Sequence, residues 1–214
     1  MNYKSLVIEG NIGSGKTTLA SMLSNEFKSR LLLERFEDNP FLPKFYKNPE
    51  RNAFPLELFF MAERYDQLKR HSEQDLFHPN TISDYFFMKS KLFAQNNLQP
   101  DEEQLFNSLF GIMFSSLPNP DILVYLYSDV ERLQKNIKLR GRSFECGITN
   151  EYLQNIQNRY LDYLNKQNDF PVLLLDVSNV DFKQDKKIYK NIVNLLSHEY
   201  DLGVHHFDLF KPMP

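Results

Sequence analysis

The 214-residue chain contains no tryptophan, one cysteine and only seven glycines. A lone Cys146 excludes an internal disulfide and fits a reducing compartment, and its polar loop gives it no evident chemistry. No apolar run approaches the roughly 18 residues a membrane-spanning helix needs, so no membrane partner is expected. No basic segment leads into an apolar one near the start, as an export signal would, and a cytoplasmic location is expected. Basic residues are not in excess: 25 Lys and Arg against 28 Asp and Glu leave a formal charge of −3, which offers no footprint for nucleic acid. What the chain has instead is aromatic mass, 19 Phe and 11 Tyr, enough for a large core and for stacking on a flat ligand. Its length suits one domain.

Three of the seven glycines fall together, in Gly10-Asn11-Ile12-Gly13-Ser14-Gly15-Lys16-Thr17-Thr18. This G-x-x-x-x-G-K-T run follows a short β-branched stretch, Ser5 to Glu9, and precedes a helical pattern of Leu19, Met22, Leu23 and Phe27. Strand, loop and helix in that order make it a P-loop. Gly10, Gly13 and Gly15 let successive backbone N–H groups turn toward one anion. The helix beginning near Lys16 adds its positive end. Lys16 can bring a charge to the β- and γ-phosphates of a nucleotide such as ATP, and the Thr17 hydroxyl can ligate Mg²⁺.

Downstream, short apolar runs alternate with helical periodicity. Strands are expected at Arg30 to Glu34, Thr81 to Phe87, Asp121 to Tyr127 and Val172 to Asp176, and helices at 54–71, through Leu92 to Leu98, and at 105–117, 130–140, 150–165 and 188–196. Strands apolar throughout, alternating with helices, indicate an α/β fold: a parallel sheet of about five strands with helices on both faces. Ligands in such sheets sit at the carboxyl ends of the strands. The P-loop, Glu34, Asp84 and the turn after Tyr127 are therefore expected to share a cleft. One domain is expected to span 1–200, and the tail 201–214 has too little pattern to place.

Taken together, the P-loop, the segment Asn39-Pro-Phe-Leu-Pro-Lys-Phe-Tyr to Met61-Ala-Glu-Arg64, and the loop Arg140-Gly-Arg142 resemble the deoxyribonucleoside kinases, from about Leu6 to Leu196. The segment from Asn39 to Arg64 looks especially like the bacterial purine-type members. The resemblance implies transfer of a phosphoryl group from ATP-Mg²⁺ to the 5′-hydroxyl of a deoxynucleoside, in nucleotide salvage, by a homodimer. It implies a mobile lid at about 138–149 carrying Arg140 and Arg142, which would reach the transferring phosphoryl group. It puts Glu34 in the place of the general base that aligns the hydroxyl and takes its proton, and Tyr46 and Glu145 in the place of the pair that grips the sugar 3′-hydroxyl.

The chain departs from the family pattern twice. Relatives mostly place Gln where Glu57 stands, and an ionised Glu only accepts hydrogen bonds. Arg64, seven positions on and on the same helix face, could donate to a purine or pair with Glu57. Hydrogen bonding leans to deoxyguanosine, while the surrounding stretch looks more like deoxyadenosine kinases; deoxyadenosine is placed narrowly first. The second departure is Met88, which stands where an acid would support Mg²⁺ ahead of Lys89 and Ser90; Asp84 could supply the charge. Two other readings remain: a nucleoside-monophosphate kinase of thymidylate-kinase type, and an ATP-binding module without phosphoryl transfer.

Overall fold

The computed structural model describes residues 2–36, 38–72 and 80–209. Six parallel strands form one sheet in the order β2-β3-β1-β4-β5-β6. They are β1 (Ser5–Gly10), β2 (Arg30–Leu32), β3 (Thr81–Ser83), β4 (Ile122–Tyr127), β5 (Pro171–Asp176) and β6 (Gly203–Asp208). The helices are α1 (Lys16–Phe27), α2 (Leu42–Phe45), α3 (Pro49–Ser72), α4 (Met88–Asn97), α5 (Pro100–Phe114), α6 (Val130–Arg140), α7 (Asn150–Leu164) and α8 (Lys186–Leu195), with a 3₁₀ turn at Ser143–Glu145.

The two-residue period of a strand sorts the core into two layers. Leu6, Ile8, Ile122, Val124, Leu126, Leu173 and Leu175 face α1 and α8 through Leu19, Leu23, Ile188 and Ile192. Val7, Leu123, Tyr125, Val172 and Leu174 face the other way, onto Met61, Phe106, Phe110, Ile156 and Tyr160. Strand β4 is the spine, with Ile122 through Leu126 fully buried; at about 1.5–3 kcal/mol per buried side chain it makes a stiff floor for the cleft.

Several boundaries differ from the sequence-based expectation. The third strand ends at Ser83, because the chain turns at once: the Ser83 hydroxyl donates to the Tyr85 carbonyl at 2.9 Å and the Phe86 N–H to the Glu9 carboxylate at 2.8 Å. Aromatic residues 85–87 are thus buried plugs rather than strand. Helix α3 starts at Pro49, five residues early, and keeps Pro55 inside it. Helix α5 starts at Pro100 because Gln99 and Glu102 cap it reciprocally.

The tail yields a sixth strand. Residues 203–208 pair in parallel with β5, from Pro171 opposite Gly203 to Asp176 opposite Asp208. Half-exposed and polar, with two histidines, this edge strand lacks the apolar signature of the inner ones, and the sheet extends past residue 200. Residues 210–214 and Glu37 lie outside the described residues.

Candidate active site

The P-loop sits between β1 and α1 at the carboxyl edge of the sheet. Gly13 takes φ 85°, and a Cβ there would lie 2.8 Å from the Leu133 carbonyl oxygen; Gly15 takes φ 92° as the residue preceding α1. These positions need glycine for conformation and, at Gly13, also for space. The Asn136 amide donates to the Gly13 carbonyl at 2.8 Å and steadies the loop from α6. Asn11 is fully buried, donating to the Leu153 carbonyl and accepting from the Ile12 N–H, both at 2.8 Å. Its side chain serves the loop's shape, tying it to α7. Glu9 does the same from below, accepting from Gly10 N–H and the Tyr160 hydroxyl, each at 3.0 Å. Burial raises its carboxyl pKa, against the pull of Lys89 and Lys16.

Gly13, Ser14, Gly15, Lys16, Thr17 and Thr18 line a wide cleft of about 560 Å³, closed by Ser128 after β4 and by the 177–184 loop after β5. Ile12 instead faces a tighter chamber of about 150 Å³ on the other side of Lys16. Lys16, Thr17, Arg140 and Arg142 border both spaces. Burial and the neighbouring Lys89 push the Lys16 ammonium down to about 8.

The chamber collects the remaining expected residues: Glu34, Tyr46, Glu57, Arg64, Asp84, Lys89 and Glu145 all reach its wall. Glu34, two residues beyond the end of β2, is held by two buried cations. Lys89 Nζ lies 2.6 Å from one carboxylate oxygen, and Arg64 Nε and an Nη lie 2.8 and 2.5 Å from the other. Burial alone would favour the neutral acid, but Lys89, Arg64 and Lys16 outweigh it and hold the carboxyl well below its usual range. The Glu34 backbone N–H donates to Asp84 at 2.8 Å, while the other Asp84 oxygen accepts from the Thr17 hydroxyl at 2.5 Å. Two hard oxygens, from Thr17 and Asp84, thus meet beside Lys16.

Arg64 is not the partner of Glu57. Its guanidinium is spent on Glu34 and, at 2.8 Å, on the Ser90 hydroxyl, and it stacks over Phe60. The long reach of arginine carries it across the helix face to the stronger acid. Glu57 is instead met by Asn97, whose amide donates to Oε1 at 2.7 Å, while Oε2 is buried without a partner. Burial, with a contribution from Glu34, pushes the Glu57 carboxyl up to about 7 despite Arg64, Asn97 and Lys89.

Arg140 and Arg142 converge on Glu145, which is 5% exposed, at 2.6 Å and 3.3 Å. Arg142 also stacks on Phe36, 3.8 Å from its ring centre. Tyr46 faces the same chamber, stacked on Phe144, with its hydroxyl held protonated by burial and by the negative charges of Glu145 and Glu57. Met88, where an acid was missed, is buried in the core, and Asp84 is the carboxylate that reaches Thr17.

Sequence reasoning missed Asn97, Asn136 and Phe36. A polar residue at a helix end or a lone aromatic in a loop carries no periodic or motif signal; each acquires meaning only through a partner brought near by folding.

The sequence profile of the deoxynucleoside kinases matches residues 6–199. The chain is 35% identical over 192 residues to a deoxyguanosine kinase of Bacillus subtilis, covering 87% of this chain and 93% of that protein. It is 29% identical over 197 residues to a deoxyadenosine/deoxycytidine kinase of the same organism, covering 90% and 91%. A solved structure of deoxyadenosine kinase from M. mycoides, with dCMP and dCDP bound as products, superposes with a TM-score of 0.77 at 25% identity, covering 90% of this chain and 98% of that one.

Proposed function

The chain belongs to the deoxynucleoside kinase family, and from that premise we propose that it transfers the γ-phosphoryl group of ATP to the 5′-hydroxyl of a purine deoxynucleoside, in salvage. One observation carries the reading. Glu34, kept ionised by Lys89 and Arg64, borders the same chamber as the P-loop Lys16 and Thr17. ATP occupies the cleft between the P-loop and the 177–184 loop; the nucleoside occupies the chamber, and the γ-phosphate lies where the two spaces meet at Lys16.

Phosphoryl transfer through a loose transition state asks little covalent chemistry of the protein and much positioning. Glu34 aligns the 5′-hydroxyl by accepting its hydrogen bond. The cations that keep it charged also make it a weak base, which suits a hydroxyl that gives up its proton late. Lys16 and the backbone N–H groups of the P-loop neutralise the phosphates. Arg140 and Arg142 add planar donors from the opposite side as the 138–149 lid closes and water is excluded. Tyr46 and Glu145 bracket the sugar 3′-hydroxyl, one able to donate and the other to accept.

A divalent cation fits the paired Thr17 hydroxyl and Asp84 carboxylate, hard oxygens of the kind Mg²⁺ prefers. Among the described residues no cluster of three or more His, Cys, Asp or Glu could hold a metal, and Mg²⁺ at phosphate sites takes much of its coordination from water and phosphate. Thr17 and Asp84 would hold such an ion, which would supply charge screening for the phosphates.

No helix among the described residues is long and apolar enough to cross a membrane, and a cytoplasmic enzyme is proposed. Homodimerisation follows the resemblance, with α5 offering exposed Leu105 and Ile112; sedimentation at micromolar concentration distinguishes dimer from monomer. The activity itself is tested with Glu34→Gln. ATP binding should survive and turnover fall well over ~10²-fold; near-normal turnover would remove Glu34 from the mechanism. A nucleoside rather than a nucleoside monophosphate should serve as acceptor.

A further inference from the structure

Glu57 stands on α3 in the lining of the chamber, 1% exposed, with one oxygen committed and one without a partner. The commitment has a direction. Asn96 donates to the Asn97 carbonyl oxygen at 3.1 Å, so the Asn97 amide nitrogen is the end that faces Glu57, donating to Oε1 at 2.7 Å and to the Tyr152 hydroxyl oxygen at 3.2 Å. Oε1 must therefore be an acceptor in either protonation state, and a proton on this carboxyl can sit only on Oε2. Oε2 is also a buried polar atom with no partner, on a residue that lines the chamber proposed for the base.

We propose that Glu57 selects between the two purines by its own protonation state, the carboxylate reading guanine and the carboxylic acid reading adenine. This inference rests on the deoxynucleoside kinase reading given above. Guanine presents two donors, N1–H and N2–H, and needs acceptors opposite them; ionised Glu57 supplies only acceptors. Adenine presents one donor, N6–H, and one acceptor, N1; neutral Glu57 supplies a donor at Oε2 and an acceptor at Oε1. Each mismatch leaves buried lone pairs or N–H groups facing one another, the kind of error that polar sites reject most strongly.

The groups around Glu57 leave it free to make this change near neutrality. From α3 itself Arg64 contributes a positive charge, from α4 Lys89, from the end of β2 Glu34, and from α2 and α7 the hydroxyls of Tyr46 and Tyr152. Arg64 and Lys89 are both paired with Glu34, which offsets one of their two charges, and burial outweighs the pull they still exert on Glu57. Both tyrosines are held protonated by burial, and Glu34 is held ionised. Glu57, raised to about 7 first by burial, is the group beside the base that exchanges a proton in the working range.

The test is the ratio of kcat/KM for deoxyguanosine to that for deoxyadenosine, with ATP saturating, from about pH 6 to about pH 8.5. Groups common to both reactions, Lys16 and Glu34 among them, cancel in the ratio. The ratio should climb toward tenfold per pH unit, by at least about tenfold overall. Glu57→Gln, whose amide donates and accepts at every pH, should favour deoxyadenosine with a flat ratio. Asn97→Ala removes a donor that favours the charged form, so the deoxyguanosine profile should shift to higher pH. If both purines are phosphorylated in a ratio that stays constant within about twofold, or if Glu57→Gln keeps the slope, the inference is overturned while the kinase reading stands. If neither purine is phosphorylated at any pH, the kinase reading falls and takes the inference with it.

Discussion

The two sides of the cleft are built by different means. On the side proposed for the nucleoside the wall carries side chains already bonded to one another: Glu34 to Lys89 and Arg64, Glu57 to Asn97, Glu145 to Arg140 and Arg142. On the side proposed for ATP the glycine turn and the start of a helix supply the backbone part of the wall, with Arg132, Asn136, Arg140 and Arg142 around it, in a larger space, about 560 against about 150 Å³. A wall of paired side chains fixes distances and chemical sense, so it can tell one base or sugar from another. A wall of backbone N–H groups offers charge and little else, sufficient for phosphates that every nucleotide shares. Selectivity should therefore be fragile on one side, and affinity fragile on the other only where the main chain itself is disturbed.

The largest break in this contrast should come from Lys89→Met. The change removes one of two cations from a buried carboxylate, and loss of a buried ion-pair partner costs about 3–5 kcal/mol. Because Arg64 remains, about 3 kcal/mol is expected, with Tm lower by roughly 6–12 °C for a chain of this size. Turnover should fall by about 10²-fold, the general-base scale, as Glu34 swings toward Arg64. Calorimetry and steady-state rates check both.

Gly13→Val attacks the other side. Its Cβ meets the Leu133 carbonyl, and the residue needs a positive φ. Strain of about 1–3 kcal/mol predicts roughly 10- to 100-fold weaker ATP binding by calorimetric titration, with deoxynucleoside binding nearly intact. Equal losses for both ligands would show that the two sides are not separable.

A third effect sharpens the contrast through pH. Lys16 in the free enzyme is lowered to about 8, so it is charged below that value and neutral above it. The kcat/KM for ATP should fall by up to tenfold per pH unit above about pH 8. Glu34, ionised throughout, should contribute no acid limb between pH 5 and 7. The smallest effect is expected for Asn136→Ala, which deletes one hydrogen bond to Gly13. About 1 kcal/mol predicts a roughly fivefold rise in KM for ATP alone.

The same contrast explains what the bare sequence disclosed. The P-loop was legible because its function is written in consecutive residues, and Ile122 to Leu126 because a strand buried on both faces is apolar at every position. Glu34, Arg140 and Arg142 were found through resemblance, and the structure brings them to one cleft. The pairing of Thr17 with Asp84 spans 67 positions, and that of Glu57 with Asn97 spans 40. Neither leaves a local pattern. Arg64 was set beside Glu57 by helical spacing, yet its length lets it answer to Glu34 across the chamber. Strand β6 escaped notice because a half-exposed edge needs no continuous apolar run.

Asp84 belongs to neither side. One of its oxygens accepts from the Thr17 hydroxyl on α1, the other from the backbone N–H of Glu34. A single rigid group is thus a shared pivot, and a substitution there cannot be assigned to either ligand by kinetics on one of them alone. Under the proposed mechanism, whatever shifts Thr17 when triphosphate arrives reaches Glu34 through one short link, which ties arrival of the first reactant to readiness for the second.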